Sequence, residues 1–224
     1  LVTVVGFHTG EQRPSVLMRW FDPGRFLELG QEHRTQITAV VPSMLQLLLA
    51  LPGEDYDLSE LRYVVSGGAP LPPEVAEALL RRLPQIEIRE GYGLTETSAL
   101  VTSTPPGQAR LGSVGKPAPG IEVRIDGDDE VGEICVRSRC VMLGYWQAPE
   151  LTAEAIRDGW LYTGDLGYLD DDGYLYVVDR KKDLIIRGGF NVFPRDVEEA
   201  LLEHPAVAAA GVVGRPDEAH GEEV

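Results

Sequence analysis

Six consecutive residues constrain this chain more than any others. Gly91-Tyr92-Gly93-Leu94-Thr95-Glu96 follows directly on the apolar, strand-like run that includes Ile86 and Ile88. Gly91 and Gly93 let backbone approach a ligand closely, and Tyr92 offers a flat face on which a purine can stack. Thr95 can donate a hydrogen bond to a phosphoryl oxygen, and Glu96 can hold a hard cation such as Mg²⁺. The hexapeptide taken alone fits a nucleotide site and fits equally a glycine-rich turn at which Thr and Glu cap the start of a helix.

The flanking segments favour a layered α/β fold. Asp22-Pro23 is a helix-entry signal ahead of Phe26, Leu27 and Leu29. Thr38 to Val41 reads as a strand, Ser43 to Leu51 as a buried helix, and Arg62 to Val65 as a strand. Pro72-Pro73 opens a helix through Leu83 with Val75, Leu79, Leu80 and Leu83 on one face, and Ile86 to Ile88 is a short strand feeding Gly91. Such alternation predicts a mostly parallel sheet flanked by helices. Past Pro105 the chain turns strand-rich. Ile121 to Ile125 and Gly132 to Arg137 alternate around an acidic turn and predict a hairpin, Gly173 to Val178 and Asp183 to Ile186 are further strands, Pro194 opens a helix carrying Val197, Leu201 and Leu202, and Ala206 to Val213 reads as a last strand.

Composition excludes several classes of partner. The 20 basic and 36 acidic residues leave a net charge of −16, which repels phosphate backbones, so nucleic acid is not an expected partner. Asp126 to Glu130 and Asp170 to Gly173 lack EF-hand spacing and read as solvated turns. Cys135 and Cys140 have neither redox nor zinc spacing and predict reduced thiols in the cytoplasm. The longest apolar stretch, Ile37 to Leu51, is broken by Pro42, Ser43 and Gln46 and is too short to span a bilayer. Leu1 to Val5 begins in what reads as a strand, without an initiator Met, so the chain is expected to be an internal piece of a longer protein.

Three downstream segments carry further chemistry. Tyr162-Thr163-Gly164-Asp165 is read as a strand-to-turn junction, where one carboxylate can accept from the two vicinal hydroxyls of a ribose. Asp179-Arg180-Lys181-Lys182-Asp183 clusters cations between two strands. Arg187-Gly188-Gly189 leads through Phe193-Pro194 into a helix.

Taken in order, Ser66-Gly67-Gly68-Ala69-Pro70, the hexapeptide, Tyr162 to Asp165, Asp179 to Asp183 and Arg187 to Glu198 make the chain resemble the adenylate-forming superfamily, most nearly acyl-CoA synthetases of the AMP-binding family. The resemblance covers nearly the whole chain. It implies an α/β fold: the C-terminal part of a large domain over residues 1–181, with a helix-flanked mixed sheet and a β-rich subdomain, then the start of a small α+β domain over 182–224. It further implies that Gly67, Gly68, Ala69 and Pro70 wall the adenine, with Tyr92, in the Gly91-Tyr92-Gly93-Leu94 segment, stacking on the other face. Thr95 would contact the α-phosphate, Glu96 the magnesium, and Asp165 the ribose with Arg180 nearby. Lys182 matches the family's hinge, and Gly188 and Gly189 match the loop that lines the thiol tunnel.

The implied reaction activates a small-molecule carboxylic acid with ATP and Mg²⁺ and passes the acyl group to coenzyme A. A carboxylate is a poor electrophile, so exchanging its oxygen for AMP supplies a leaving group that a thiol can displace. Two family features are not found in these residues: the upstream Ser/Thr/Gly phosphate loop and the C-terminal catalytic lysine. Gly112-Ser113-Val114-Gly115-Lys116 lacks Walker spacing and reads as a turn with an exposed lysine. Phe7-His8 matches a Phe-His pair near the family's acyl pocket, but its spacing to Phe21 is short for that motif. His33, His204 and His220 read as lone surface or helix-end residues, and Tyr145, Trp146 and Trp160 as core packing. The competing readings are a peptide-synthetase adenylation domain, against which Asp179 to Ile186 looks like the CoA-ligase type, and a non-catalytic nucleotide-binding remnant.

Overall fold

The computed structural model describes residues 15–52, 56–127, 129–202, 204, 206–207, 210–217 and 220–224. The strand expected at Leu1 to Val5 and the segment around His8 lie outside the described residues. The chain forms two compact units, one from residues up to 94 together with 99–116, the other from 95–98 together with 117–224.

In the first unit, helix α1 (Pro23–Glu32) starts where the sequence signals it. The Asp22 carboxylate accepts the Arg25 N–H at 2.7 Å and Pro23 fills the first turn, a cap whose loss costs about 1 kcal/mol. There follow β1 (Ile37–Val40), α2 (Pro42–Leu49), β2 (Tyr63–Ser66), α3 (Pro73–Arg82), β3 (Glu87–Tyr92), β4 (Thr102–Ser103) and β5 (Lys116–Pro117). The sheet runs β1-β2-β3-β4-β5. β1, β2 and β3 are parallel, and β4 returns antiparallel to β3, so the sheet is mixed. Val40, Val64 and Ile88 meet Leu27 of α1, Leu45 and Leu48 of α2, and Ala76 and Leu79 of α3 in one core. Each large aliphatic side chain buried there contributes about 1.5–3 kcal/mol. β3 outruns its expected end at Ile88 and carries Gly91 and Tyr92 as strand residues. Lys116 is half-buried in β5 rather than exposed in a turn.

The second unit contains two sheets. Strands β6 (Glu122–Asp126) and β7 (Gly132–Arg137) form the expected hairpin, then come α4 (Pro149–Ala155), β8 (Ile156–Arg157), β9 (Trp160–Leu169) and β10 (Leu175–Arg180). Their order is β10-β9-β7-β6, with β8 also paired to β9. Ile134, Val136, Leu161 and Leu175 are fully buried. Trp160, expected in the core, is only partly buried and is flanked by cations: the Arg124 and Arg137 guanidiniums each lie 4.5 Å from its ring centre, and Arg157 stacks 3.5 Å over Tyr162. Trp146, expected in the core, is 89% exposed. The Asp170 turn is organised by its own carboxylate, which accepts the N–H groups of Asp172 and Tyr174 at 3.0 and 2.8 Å, as a solvated turn requires.

Beyond β10 the chain forms β11 (Ile185–Arg187), β12 (Phe190–Val192), α5 (Pro194–Leu202), β13 (Arg215–Asp217) and β14 (Gly221–Glu223), with the sheet ordered β12-β11-β14-β13. The described residues of 206–213 form no strand, and the last strands fall later than the sequence suggests. α5 is tied back to β10. Arg195 donates its N–H to Asp179 Oδ2 and its Nη1 to the Val177 carbonyl, both at 3.3 Å, while Asp179 Oδ1 accepts the Arg180 N–H at 2.7 Å. Among the described residues no helix is long and apolar enough to cross a membrane.

Candidate functional site

The sequence-derived residues fall in both units. In the first, Gly67, Gly68, Ala69 and Pro70 leave the C-terminal end of β2, beside the part of β3 that carries Gly91 and Tyr92. The two segments touch: a Cβ on Gly67 would stand 3.3 Å from the Gly91 carbonyl oxygen. Parallel pairing of β2 with β3 causes this, since Ser66 and Glu90 are register partners and the chain leaves both strands at the same end. Ligands of open α/β sheets bind at such carboxyl ends. Tyr92 pairs with Thr102 and accepts the Val101 N–H at 2.8 Å. Gly93 then leaves the sheet so close to the returning chain that a Cβ would lie 1.4 Å from the Ala99 carbonyl oxygen. No other residue fits there. The Ser66 hydroxyl, just before Gly67, is buried without a hydrogen-bond partner among the described residues.

In the second unit Thr95 and Glu96 open a single 3-10 turn, Thr95–Thr97. The loop after β7 holds this turn. Met142 N–H donates to the Glu96 carbonyl at 2.7 Å, Ser98 Oγ donates to the Cys140 carbonyl at 2.9 Å, and the Tyr145 hydroxyl donates to Glu96 Oε1 at 3.0 Å. Burial and the adjacent Glu96 carboxylate both push the Tyr145 hydroxyl pKa up, so it stays a donor. Ser98 and Ala99 follow at φ values of +56° and +91°, strain that recurs at functional turns.

Thr163, Gly164 and Asp165 lie inside β9, which runs unbroken from Trp160 to Leu169, and not at its end. They form a bulge. Cys135 pairs with Tyr162 and Glu133 with Leu166, so Ile134 alone faces the three residues between. Gly164 adopts φ +75°, a conformation glycine reaches without penalty. Thr163 Oγ1 donates to the Ile134 carbonyl at 2.8 Å and accepts the Asp165 N–H at 3.1 Å, while the Gly164 N–H goes to Glu133 Oε1 at 3.1 Å and the Gly164 carbonyl accepts the Lys181 N–H at 2.8 Å. The bulge re-aims Asp165. The Asp165 carboxylate is 14% exposed, with Arg180 Nε on the paired strand 3.8 Å away.

The structure therefore brings together Gly67 with Gly91, and Asp165 with Arg180. Lys182 lies in the exposed turn closed by the Asp183 N–H to Arg180 carbonyl bond of 3.0 Å. Gly188 and Gly189 form the exposed turn between β11 and β12 in the other sheet. His220 is not isolated: its Nδ1 is 3.2 Å from both Asp217 and Glu223. Arg187 already pairs with Glu223 through two bonds of 2.8 and 2.9 Å and holds its carboxyl below the usual carboxylate range. One guanidinium, one imidazole and two carboxylates thus form a single cluster. Sequence reasoning passed over Glu133 and took Tyr145 for core packing, whereas Tyr145 is 40% exposed and its hydroxyl serves Glu96. A charged residue in the alternating run Gly132 to Arg137 was the available signal for Glu133; Tyr145 had none. The Cys135 thiol, fully buried, has its pKa pushed up to about 11, chiefly by burial.

A helix-flanked mixed sheet, a β-rich second sheet and a small third sheet are the elements of an adenylate-forming enzyme fold. The chain belongs to the AMP-binding enzyme family, whose model matches residues 13–146; the AMP-binding enzyme C-terminal domain matches residues 196–224. A long-chain-fatty-acid–CoA ligase of Bacillus subtilis is 41% identical over 219 residues, 93% of this chain and 39% of the relative. A luciferin 4-monooxygenase of Photinus pyralis is 41% identical across 92% of this chain and 40% of the relative. Among solved structures, o-succinylbenzoate CoA synthetase of Bacillus subtilis, in complex with the acyl-adenylate intermediate OSB-AMP, superposes with a TM-score of 0.78 at 37% identity, covering 90% of this chain and 43% of that one. The chain thus spans about two fifths of the relatives it matches.

Proposed function

We propose that this chain belongs to an AMP-forming acid–thiol ligase that acts in the cytoplasm on ATP, a carboxylic acid and coenzyme A. In the first step a carboxylate oxygen attacks the α-phosphorus and pyrophosphate leaves; in the second the CoA sulfur attacks the acyl carbon, AMP leaves, and the thiol proton passes to solvent. Gly67 to Pro70 and Tyr92 would bracket the adenine, Thr95 would meet the α-phosphate, and Asp165 with Arg180 would hold the ribose. Gly188 and Gly189 would line the thiol path after a turn at Lys182, the boundary between the large domain (1–181) and the small one (182–224).

Glu96 suits Mg²⁺. It is a hard oxygen donor, one carboxylate oxygen is steadied by Tyr145, and among the described residues no cation pairs with it. Mg²⁺ is bound through one or two carboxylates and substrate phosphates, and when bound it would neutralise charge developing on the phosphates.

The observation that carries this reading is the bulge that presents a largely buried Asp165 beside Arg180. The luciferin 4-monooxygenase is as similar to this chain as the CoA ligase, so the thiol step rests on Asp179 to Ile186 and on Gly188-Gly189. Full-length protein incubated with ATP and a panel of fatty, aryl and short-chain acids, with and without CoA, tests it. Acid-dependent pyrophosphate release followed by CoA-dependent AMP and thioester formation is the expected result. Pyrophosphate release with no thioester from any acid would refute the CoA step, and no acid-dependent pyrophosphate would refute the whole reading.

A further inference from the structure

Glu133 stands at a place where a carboxylate is costly. It lies on β7, its side chain is 10% exposed, and its neighbours Ile134, Cys135 and Val136 are fully buried. A buried carboxylate is tolerated only when its oxygens are matched, and here each has a different partner. Oε1 accepts the Gly164 N–H at 3.1 Å and Oε2 accepts Lys181 Nζ at 2.7 Å. The Lys181 N–H in turn donates to the Gly164 carbonyl at 2.8 Å, so Glu133, Gly164 and Lys181 close a ring of three bonds.

The ring's position matters more than its strength. Gly164 immediately precedes Asp165, and Lys181 immediately precedes Lys182. The Lys181 side chain is 59% exposed, so its ion pair is screened and contributes little by itself. The Gly164 bond is the firmer arm, because losing it would leave a backbone N–H in the bulge without its acceptor.

We propose that Glu133 is a positioning residue for both halves of the reaction: through Gly164 it fixes the bulge that aims Asp165, and through Lys181 it fastens the last residue ahead of Lys182 to the sheet. Glu133 touches no substrate. The inference rests on the roles given above to Asp165 and Lys182, and it assigns to β7 the task of keeping the nucleotide side still while the chain beyond residue 181 turns. A merely structural carboxylate would lower stability without separating the two half-reactions.

The test uses the full-length protein, with AMP affinity from calorimetry and with pyrophosphate release and thioester formation measured separately. Glu133→Ala loses both arms and should weaken AMP binding about tenfold or more. Glu133→Gln keeps an amide oxygen for Gly164 but cannot pair with an ammonium, and Lys181→Met removes the ammonium alone. Both should hold AMP affinity within about threefold while slowing thioester formation at least about threefold more than adenylation. If Glu133→Ala bound AMP like the parent, or if the Gln and Met variants slowed both half-reactions equally, the proposal would fall. Should Glu133→Ala not fold, the Gln and Met variants decide alone. Asp165→Ala separates this idea from the one beneath it: unchanged AMP affinity there overturns the ribose assignment, whereas lost affinity there with none lost in Glu133→Ala overturns only the positioning role.

Discussion

The turns at Gly164 and at Gly188-Gly189 share a left-handed backbone, with φ of +75°, +57° and +87°, and differ in almost everything else. Gly164 has both its N–H and its carbonyl engaged, and the hydroxyl of Thr163 bridges the bulge. Gly188 donates its N–H to the His220 carbonyl at 2.7 Å, Gly189 is exposed, and Phe190 beyond it is 77% exposed. The same dihedral serves two ends. In the first turn glycine lets the chain be fixed where a side chain must be aimed; in the second it leaves a short segment that can be displaced at small cost.

The largest test of that contrast is Asp165→Ala in the full-length protein. If the bulge aims a ribose ligand, AMP affinity should fall by about 1.5–3 kcal/mol per lost charge-assisted hydrogen bond, roughly 10- to 150-fold; calorimetric titration showing parental affinity would break the comparison at its rigid end. Next is Lys182→Pro, between the two regions. Proline fixes φ, so thioester formation should drop about tenfold (1.4 kcal/mol) relative to pyrophosphate release, and equal losses in both assays would remove Lys182 as a pivot. The smallest effects come from the glycines. Gly164→Ala and Gly189→Ala each force alanine into a left-handed conformation and should cost about 1 kcal/mol in urea unfolding. Only the first should also weaken AMP binding, and only the second should slow the thiol step at unchanged AMP affinity. Identical kinetic profiles for the two variants would mean the turns do not differ as described.

Much of this was legible in the sequence. Asp22-Pro23 and Pro72-Pro73 marked α1 and α3 because proline and a capping carboxylate act locally, and the alternation of β6 and β7 needs only period two. β9 was not legible as one strand. Gly164 reads as a stop signal, yet a ladder on both sides carries the chain through it as a bulge, and only the partners Ile134, Glu133 and Lys181 make that possible. β13 and β14 were hidden for a related reason: Pro216, Gly221 and their acidic neighbours have turn composition, and β14's pairing with β11 creates the strand. The types of the candidate site residues could be read, but not that Tyr145 steadies Glu96 or that Glu133 reaches Gly164, since these contacts span 49 and 31 positions.

Asp179 divides its carboxylate between the two sides of Lys182, one oxygen taking the Arg180 N–H and the other the Arg195 N–H, while the Arg195 guanidinium reaches the Val177 carbonyl. A turn at Lys182 would carry Arg195 and α5 away from β10 and sever the last two. At about 0.5–1.5 kcal/mol net for each bond, the arrangement described here is favoured by about 1–3 kcal/mol over one that offers Arg195 nothing in return. That is a detent rather than a lock. It would leave the turned form at roughly 1–15% of the population, within reach of a ligand that binds the two forms unequally.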